Sequence, residues 1–349
     1  MLTELLISAA ISLISVLFAG RLISPLLVRA GLIAQDINKT TVKKEHPKLP
    51  TGGGLILMVG IFVGVLVFIA SMNFFTNASV NSEYLLLGLL SIIAASFVGF
   101  MDDITGSQIR TSHADVETMA KNYSLFNGGI KQWQKPLLTL IAALPLMAAN
   151  FGTRLVIPYL GTFVINPVIY ILFLVPIGVV FLSNSFNMLE GLNGLSLQMS
   201  MVAFAALAIF AYHTGAYTAF SLAVLFFASA VGYTYYGLYP AKLLPGDSLT
   251  YMLGGGMAAV IILGDMGFVG IILAIPWILE FLLKARRRFH AHSWGILQKN
   301  GRLTSPHGRK IYSLTHLFLR TGKFKEWQIV QMFTVVEIII AAIALFVAW

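Results

Sequence analysis

Hydrophobic positions along this chain come in long blocks separated by short polar stretches. Runs long enough to cross a bilayer, about 20 residues at a 1.5 Å rise, recur at roughly residues 4–27, 54–72, 84–101, 136–152, 167–183, 195–212, 218–238, 249–264, 268–284 and 329–348. The pattern predicts an all-α polytopic membrane protein with about ten transmembrane helices. The eighth run carries Gly254-Gly255-Gly256, which suits close helix–helix contact better than lipid exposure. Between the fourth and fifth runs, residues 154–164 read as a short β-hairpin around Gly161. No internal repeat and no matching pair of broken helices is visible, which weighs against a transporter.

Composition strengthens this picture. The chain is 58% apolar and 11% charged, against about a quarter charged in soluble domains. The first run, Leu2 to Ala19, has no basic region before it and no small-residue cleavage site, so it reads as a retained span. With no cysteine, disulfides, thiol nucleophiles and Cys-based zinc sites are excluded.

The net charge of +9 would suit nucleic acid, but its placement argues for orientation instead. All of the 23 Lys and Arg residues except Arg21 and Arg154 fall in loops after odd-numbered runs or, for Lys284, at the very end of the ninth run. By the positive-inside rule the segments at about 28–53, 102–135, 184–194, 239–248 and 285–328 are cytoplasmic, with both termini and the hairpin outside. That places the protein in the cell membrane, surrounded by lipid, with no nucleic-acid partner expected.

Five features then share the cytoplasmic face. Pro47-Lys-Leu-Pro-Thr-Gly-Gly-Gly54 leads into the second run; its glycines allow backbone approach to a ligand, or simply make an entry turn. Asp102-Asp103 ends the third run, where two adjacent carboxylates need water, a lysine or a divalent cation to offset them. The polar stretch after them runs to Lys135-Pro136, a compact charge suited to phosphate at a helix start.

The third feature, Asn184-Ser-Phe-Asn-Met-Leu-Glu-Gly-Leu-Asn-Gly-Leu195, holds three Asn, one Glu and two Gly without Lys or Arg. Its oxygens are hard ligands appropriate to Mg²⁺ or Mn²⁺. Gly246-Asp247-Ser248 opens the eighth run, with Asp247 either a helix N-cap or a metal ligand. Last comes Lys284-Ala-Arg-Arg-Arg-Phe-His-Ala-His292, a basic segment that anchors orientation and is also compatible with substrate anions. Together they suggest a metal–diphosphate site bordering lipid.

Gly99-Phe-Met-Asp-Asp103, the Asn184–Leu195 motif and Gly246-Asp247-Ser248 resemble the polyprenyl-phosphate N-acetylhexosamine-1-phosphate transferase family, in order, spacing and topology over nearly the whole chain. Asn193-Gly194-Leu195 is similar to the branch acting on dolichyl phosphate, where bacterial members usually carry Asp-Gly-Leu, and an archaeal source suits the short architecture. The resemblance implies one integral membrane transferase domain over residues 1–349. It implies Mg²⁺ held by Asn187 and Asp247 with the donor diphosphate, uracil contacted by Asn193, phosphate bound by Lys135, and Asp102 and Asp103 at the reacting centre. Asn184, Gly194, Lys48, Arg288, His290 and His292 are further candidates for substrate contact. Lys135 is preferred to Lys131 on the Pro-Leu-Leu run that follows it, and Leu244 stands where an aromatic beside the base would be expected.

The implied reaction joins dolichyl phosphate to GlcNAc-1-phosphate from UDP-GlcNAc and releases UMP, the first step of lipid-linked glycan assembly for protein N-glycosylation. Direct attack by the lipid phosphate is favoured over an aspartyl intermediate, because the acceptor is already ionised. Alternatives are another UDP-sugar, such as UDP-GalNAc or a UDP-MurNAc-peptide, and more distantly a lipid flippase. A homodimer is compatible with the chain.

Overall fold

The computed structural model describes residues 1–36, 48–75, 80–110, 129–149, 154–157 and 160–348, with the side chains of 107–110 and 154–156 outside the description. Much of the polar stretch after Asp103 and of the first basic loop therefore lies outside the described residues.

The predicted runs fold as helices. They are α1 (Leu2–Arg29), α2 (Gly53–Phe75), α3 (Ser82–Arg110), α4 (Gln134–Met147), α5 (Pro167–Leu189), α6 (Leu195–His213), α7 (Tyr217–Gly237), α8 (Gly246–Leu263), the pair α9 (Gly267–Leu273) and α10 (Ile275–Ala285), a single turn α11 (His316–Leu319), and α12 (Glu326–Ala348). Three two-stranded ribbons complete the described structure: β1 (Ile33–Gln35) with β2 (Lys48–Pro50), β3 (Arg154–Ile157) with β4 (Gly161–Val164), and β5 (Ile296–Leu297) with β6 (Leu303–Thr304).

Among the described residues eight helices are long and apolar enough to cross a membrane, and nine if the bent pair is one span. This is a multi-pass membrane protein. The remaining expected span, α4, has 14 residues and reaches only about 21 Å, short of a bilayer core of about 30 Å. The ninth run is not one straight helix: it bends by 59° between α9 and α10. Pro276 at the start of α10 cannot donate to the preceding turn, so the continuous ladder ends there.

Helix α8 is the central pillar, with 78% of its apolar window buried. Its glycines explain why. A Cβ at Gly254, Gly255 or Gly256 would overlap Leu182–Ser183 of α5, Ala95 of α3 and Phe226 of α7 respectively. The expected role of this Gly triplet in helix contact is therefore met on three sides at once.

The third run differs from expectation in a way that matters. It does not stop at Met101: α3 continues to Arg110. Asp102 and Asp103 therefore lie inside a helix and are buried, rather than opening a polar loop.

Candidate active site

Four helix ends converge at one end of the bundle. The last turns of α3 bring Asp102 and Asp103, the end of α5 brings Asn187, and the starts of α4 and α8 bring Lys135 and Asp247. The Lys135 ammonium forms a short ion pair with Asp102 and donates to Asp247 Oδ2 at 3.1 Å. Asn187 Nδ2 reaches the same Asp247 oxygen at 3.0 Å, and its Oδ1 accepts from the Thr250 hydroxyl at 3.3 Å. One lysine thus serves the two carboxylates of Asp102 and Asp247, which leaves the cluster short of positive charge.

The two adjacent aspartates have different tasks. Asp102 Oδ1 accepts the Ile130 backbone N–H at 2.7 Å, so it ties the segment before α4 to α3. Asp103 accepts the backbone N–H groups of Asp247 at 2.7 Å and Ser248 at 3.0 Å. A helix N-terminus leaves such donors unpaired and carries partial positive charge, so a carboxylate from another helix completes it. The cap of α8 is therefore Asp103, not Asp247; the latter lies inside the first turn with its side chain turned to Lys135. Gly246, at φ +67°, permits this approach, because a Cβ there would overlap the Asp103 carboxylate. Gly99 and Gly54 similarly let α3 and α2 press against the first turn of α8.

The turn between α5 and α6 forms the next wall. Asn193 is buried, and its Nδ2 donates to Asp36 Oδ2 at 2.9 Å while its backbone N–H donates to Glu326 Oε1 at 2.7 Å. Gly194 stands at φ +84° just before α6. Burial raises the Glu190 carboxyl to about 7, partly opposed by the Ser196 N–H that it accepts. Asn184 is held further inside, donating to Thr139 Oγ1 at 3.0 Å and to the Val180 carbonyl at 2.8 Å. It braces α5 against α4 rather than joining the carboxylate cluster.

The remaining candidates lie on two other segments. Lys48 is exposed on β2, opposite Gln35, and Leu244 meets Thr51 beside this ribbon. Arg288 and His290 are exposed after α10, and Arg288 with Phe289 turns the chain at positive φ. His292 is partly buried beside Trp294, with ring centroids 4.8 Å apart. Its imidazole is held down to about 3, by burial first and then by Lys284.

Sequence reasoning missed how this basic segment is pinned. Glu280 of α10 accepts from Ser293 Oγ at 3.3 Å, Ser313 Oγ at 3.0 Å and the Leu314 N–H at 2.7 Å. Lys284 donates to the Ala291 carbonyl at 2.7 Å, and Ser293 donates to the Met188 carbonyl at the end of α5. His316 accepts the Tyr312 N–H on Nδ1, so its Nε2 carries the proton that faces the His292 carbonyl at 2.8 Å. Serines and histidines in a basic loop carry no periodic signal, so this network was not visible beforehand.

Residues 85–265 match the family model described as glycosyl transferase family 4. The chain belongs to glycosyl transferase family 4. It is 33% identical over 320 residues to a protein of Saccharolobus solfataricus, covering 90% of this chain and 88% of that one. A Sulfolobus acidocaldarius protein is 31% identical over 347 residues, covering 98% and 96%. Both carry the provisional name UDP-N-acetylglucosamine–dolichyl-phosphate N-acetylglucosaminephosphotransferase. A phospho-N-acetylmuramoyl-pentapeptide-transferase of Clostridium botulinum is 25% identical over 354 residues, covering 98% and 94%. The family match takes in Asp102, Asp103, Lys135, Asn184, Asn187, Asn193, Gly194 and Asp247; Lys48 and the 288–292 segment of this family 4 transferase lie outside it.

Proposed function

We propose that this family 4 transferase moves GlcNAc-1-phosphate from UDP-GlcNAc to a dolichyl phosphate, giving a lipid diphosphate sugar and UMP. The observation that carries the reading is the cluster of Lys135 with Asp102, Asp103, Asp247 and Asn187 at the end of a membrane bundle. A substrate pair of two phosphate-bearing anions, one of them a lipid, suits such a place. The names of the two archaeal relatives support the sugar and the acceptor.

In this reading all ten apolar segments are embedded, α4 and the bent α9–α10 pair included, with both termini and the β3–β4 ribbon outside. The clustered helix ends then face the cytoplasm of the cell, where the loops near 28–53, 102–135, 184–194, 239–248 and 285–328 lie.

Asp102 and Asp247 on the one Lys135 ammonium suit a divalent cation, since Mg²⁺ is usually held by one or two carboxylates plus substrate phosphates. Asp247 and Asn187 would hold it, Mn²⁺ being the other hard cation that suits them. When bound, the ion supplies neutralisation of the donor diphosphate and of the departing UMP. Lys135, held between Asp102 and Asp247, offers its charge to the transferring phosphoryl group.

The acceptor phosphate oxygen forms the new bond to the phosphorus attached to the sugar. The bond from that phosphorus to the bridging oxygen breaks, and UMP leaves with the oxygen. Asp103, occupied in capping α8, positions Asp247. Asn193 reads the uracil, Gly194 admits the backbone to it, and Asn184 braces the wall behind. Lys48, Arg288, His290 and His292 are assigned to the outer parts of the substrates.

The test is a panel of UDP-GlcNAc, UDP-GalNAc and UDP-MurNAc-pentapeptide given to the purified protein with Mg²⁺ and dolichyl phosphate. A lipid product from UDP-GlcNAc at least about tenfold faster than from the others is expected. Preference for another sugar would replace the donor but keep the chemistry.

A further inference from the structure

The buried pair Asp36–Asn193 has a consequence for which base the site admits. Asp36 follows β1, and Asn193 lies in the turn between α5 and α6, 157 residues away. The Asn193 amide turns its NH₂ toward Asp36, whose carboxylate oxygens are acceptors. The chemistry of the partner settles the amide orientation, which atom positions alone do not.

The rest of Asn193 is fixed as well. Glu326 takes its backbone N–H at 2.7 Å, and Gly191 packs so closely on Ser293 and Trp294 that a Cβ would lie 2.6 Å from their backbone. The amide therefore cannot relax by moving the turn. With Nδ2 spent on Asp36, its Oδ1 is the group left to meet another partner.

The geometry points to Asp36 as a positioning residue that locks Asn193 as a hydrogen-bond acceptor and so selects uracil over cytosine. The inference rests on the reading that Asn193 meets the base. Uracil carries a proton on N3, which an acceptor receives. Cytosine has a lone pair at N3, which the same acceptor repels. A buried polar group left facing a like group costs enough to give large discrimination.

Asp36→Asn releases the constraint, because an amide at position 36 can also donate to Asn193 Oδ1 and so let Nδ2 turn to the base. UMP and CMP binding to the purified full-length protein in detergent is the measurement, with KM and kcat for UDP-GlcNAc alongside. In Asp36→Asn the preference for UMP over CMP is expected to narrow about tenfold or more, with KM rising more than kcat falls. The double exchange Asp36→Asn with Asn193→Asp puts an acceptor back toward the base and is expected to restore most of the preference. Asp36→Ala frees the amide without offering a donor, narrows the preference less, and carries the test if Asp36→Asn does not fold. An unchanged UMP:CMP ratio in folded Asp36→Asn and Asp36→Ala, while Asn193→Ala loses it, overturns the role of Asp36. An unchanged ratio in Asn193→Ala instead removes the base-reading assignment of Asn193, and the inference with it.

Discussion

Lys135 stands at the centre of the candidate site. It is the ammonium that meets both Asp102 and Asp247, and its loss leaves buried carboxylates facing each other. Lys135→Met is expected to lower kcat by about 10²–10³-fold, a usual range for removing a preorganised charge partner, measured as UMP release at saturating substrate. Gly246 carries a second prediction. Its φ of +67° costs an L side chain roughly 1–2 kcal/mol, and a Cβ there displaces the Asp103 carboxylate from the α8 N-terminus. Gly246→Ala should lose most activity and lower the unfolding midpoint, whereas Gly161→Ala, also at positive φ (+107°) but with open space around its Cβ, should keep activity. At this scale the sequence was informative about residue types and poor about partners. Asp102, Asp103, Lys135, Asn187 and Asp247 were legible as a set because acids and amides beside a bilayer need a reason. That Asp103 rather than Asp247 caps α8 was not legible, since the cap comes from 144 residues away.

The helices were readable because apolar runs of spanning length leave few alternatives. Their ends were less so. Helix α3 passes through the aspartates because burial against α8 compensates for what local polarity would break. The bend at α9–α10 follows from Pro276, which the hydrophobic pattern alone passes over. The segment after α10 depends on Glu280 and on neutral histidines. His316, normally near 6.5, is held to about 3, by burial first and then by His307. A depressed folded value means that below about 6.5 the unfolded chain binds the proton and the folded one does not. Stability is therefore full above about 6.5 and falls as pH drops toward 3, by up to about 1.4 kcal/mol per unit. Unfolding midpoints measured from pH 7.5 to 4.5 should drop, and His316→Asn should flatten that slope.

For the molecule as a whole, charge distribution predicts which end faces the cytoplasm, and the proposed function puts the clustered helix ends on that face. The chain has no cysteine, so single introduced ones report sidedness cleanly. Asn300 and Thr214 are exposed, the first in the basic segment after α10 and the second in the α6–α7 turn. In intact cells a membrane-impermeant maleimide should label Thr214→Cys and leave Asn300→Cys untouched until the membrane is opened. Labelling in the reverse order would invert the topology and put the site outside.

The central claim concerns which bond breaks, and one isotope partition decides it. UDP-GlcNAc bearing phosphorus-32 in the phosphate next to the sugar is incubated with the purified protein, Mg²⁺ and dolichyl phosphate, and lipid and nucleotide are separated. Sugar-phosphate transfer predicts the label in the lipid, with unlabelled UMP formed in equal amount. Label recovered as UDP, with the sugar alone on the lipid, would contradict the account.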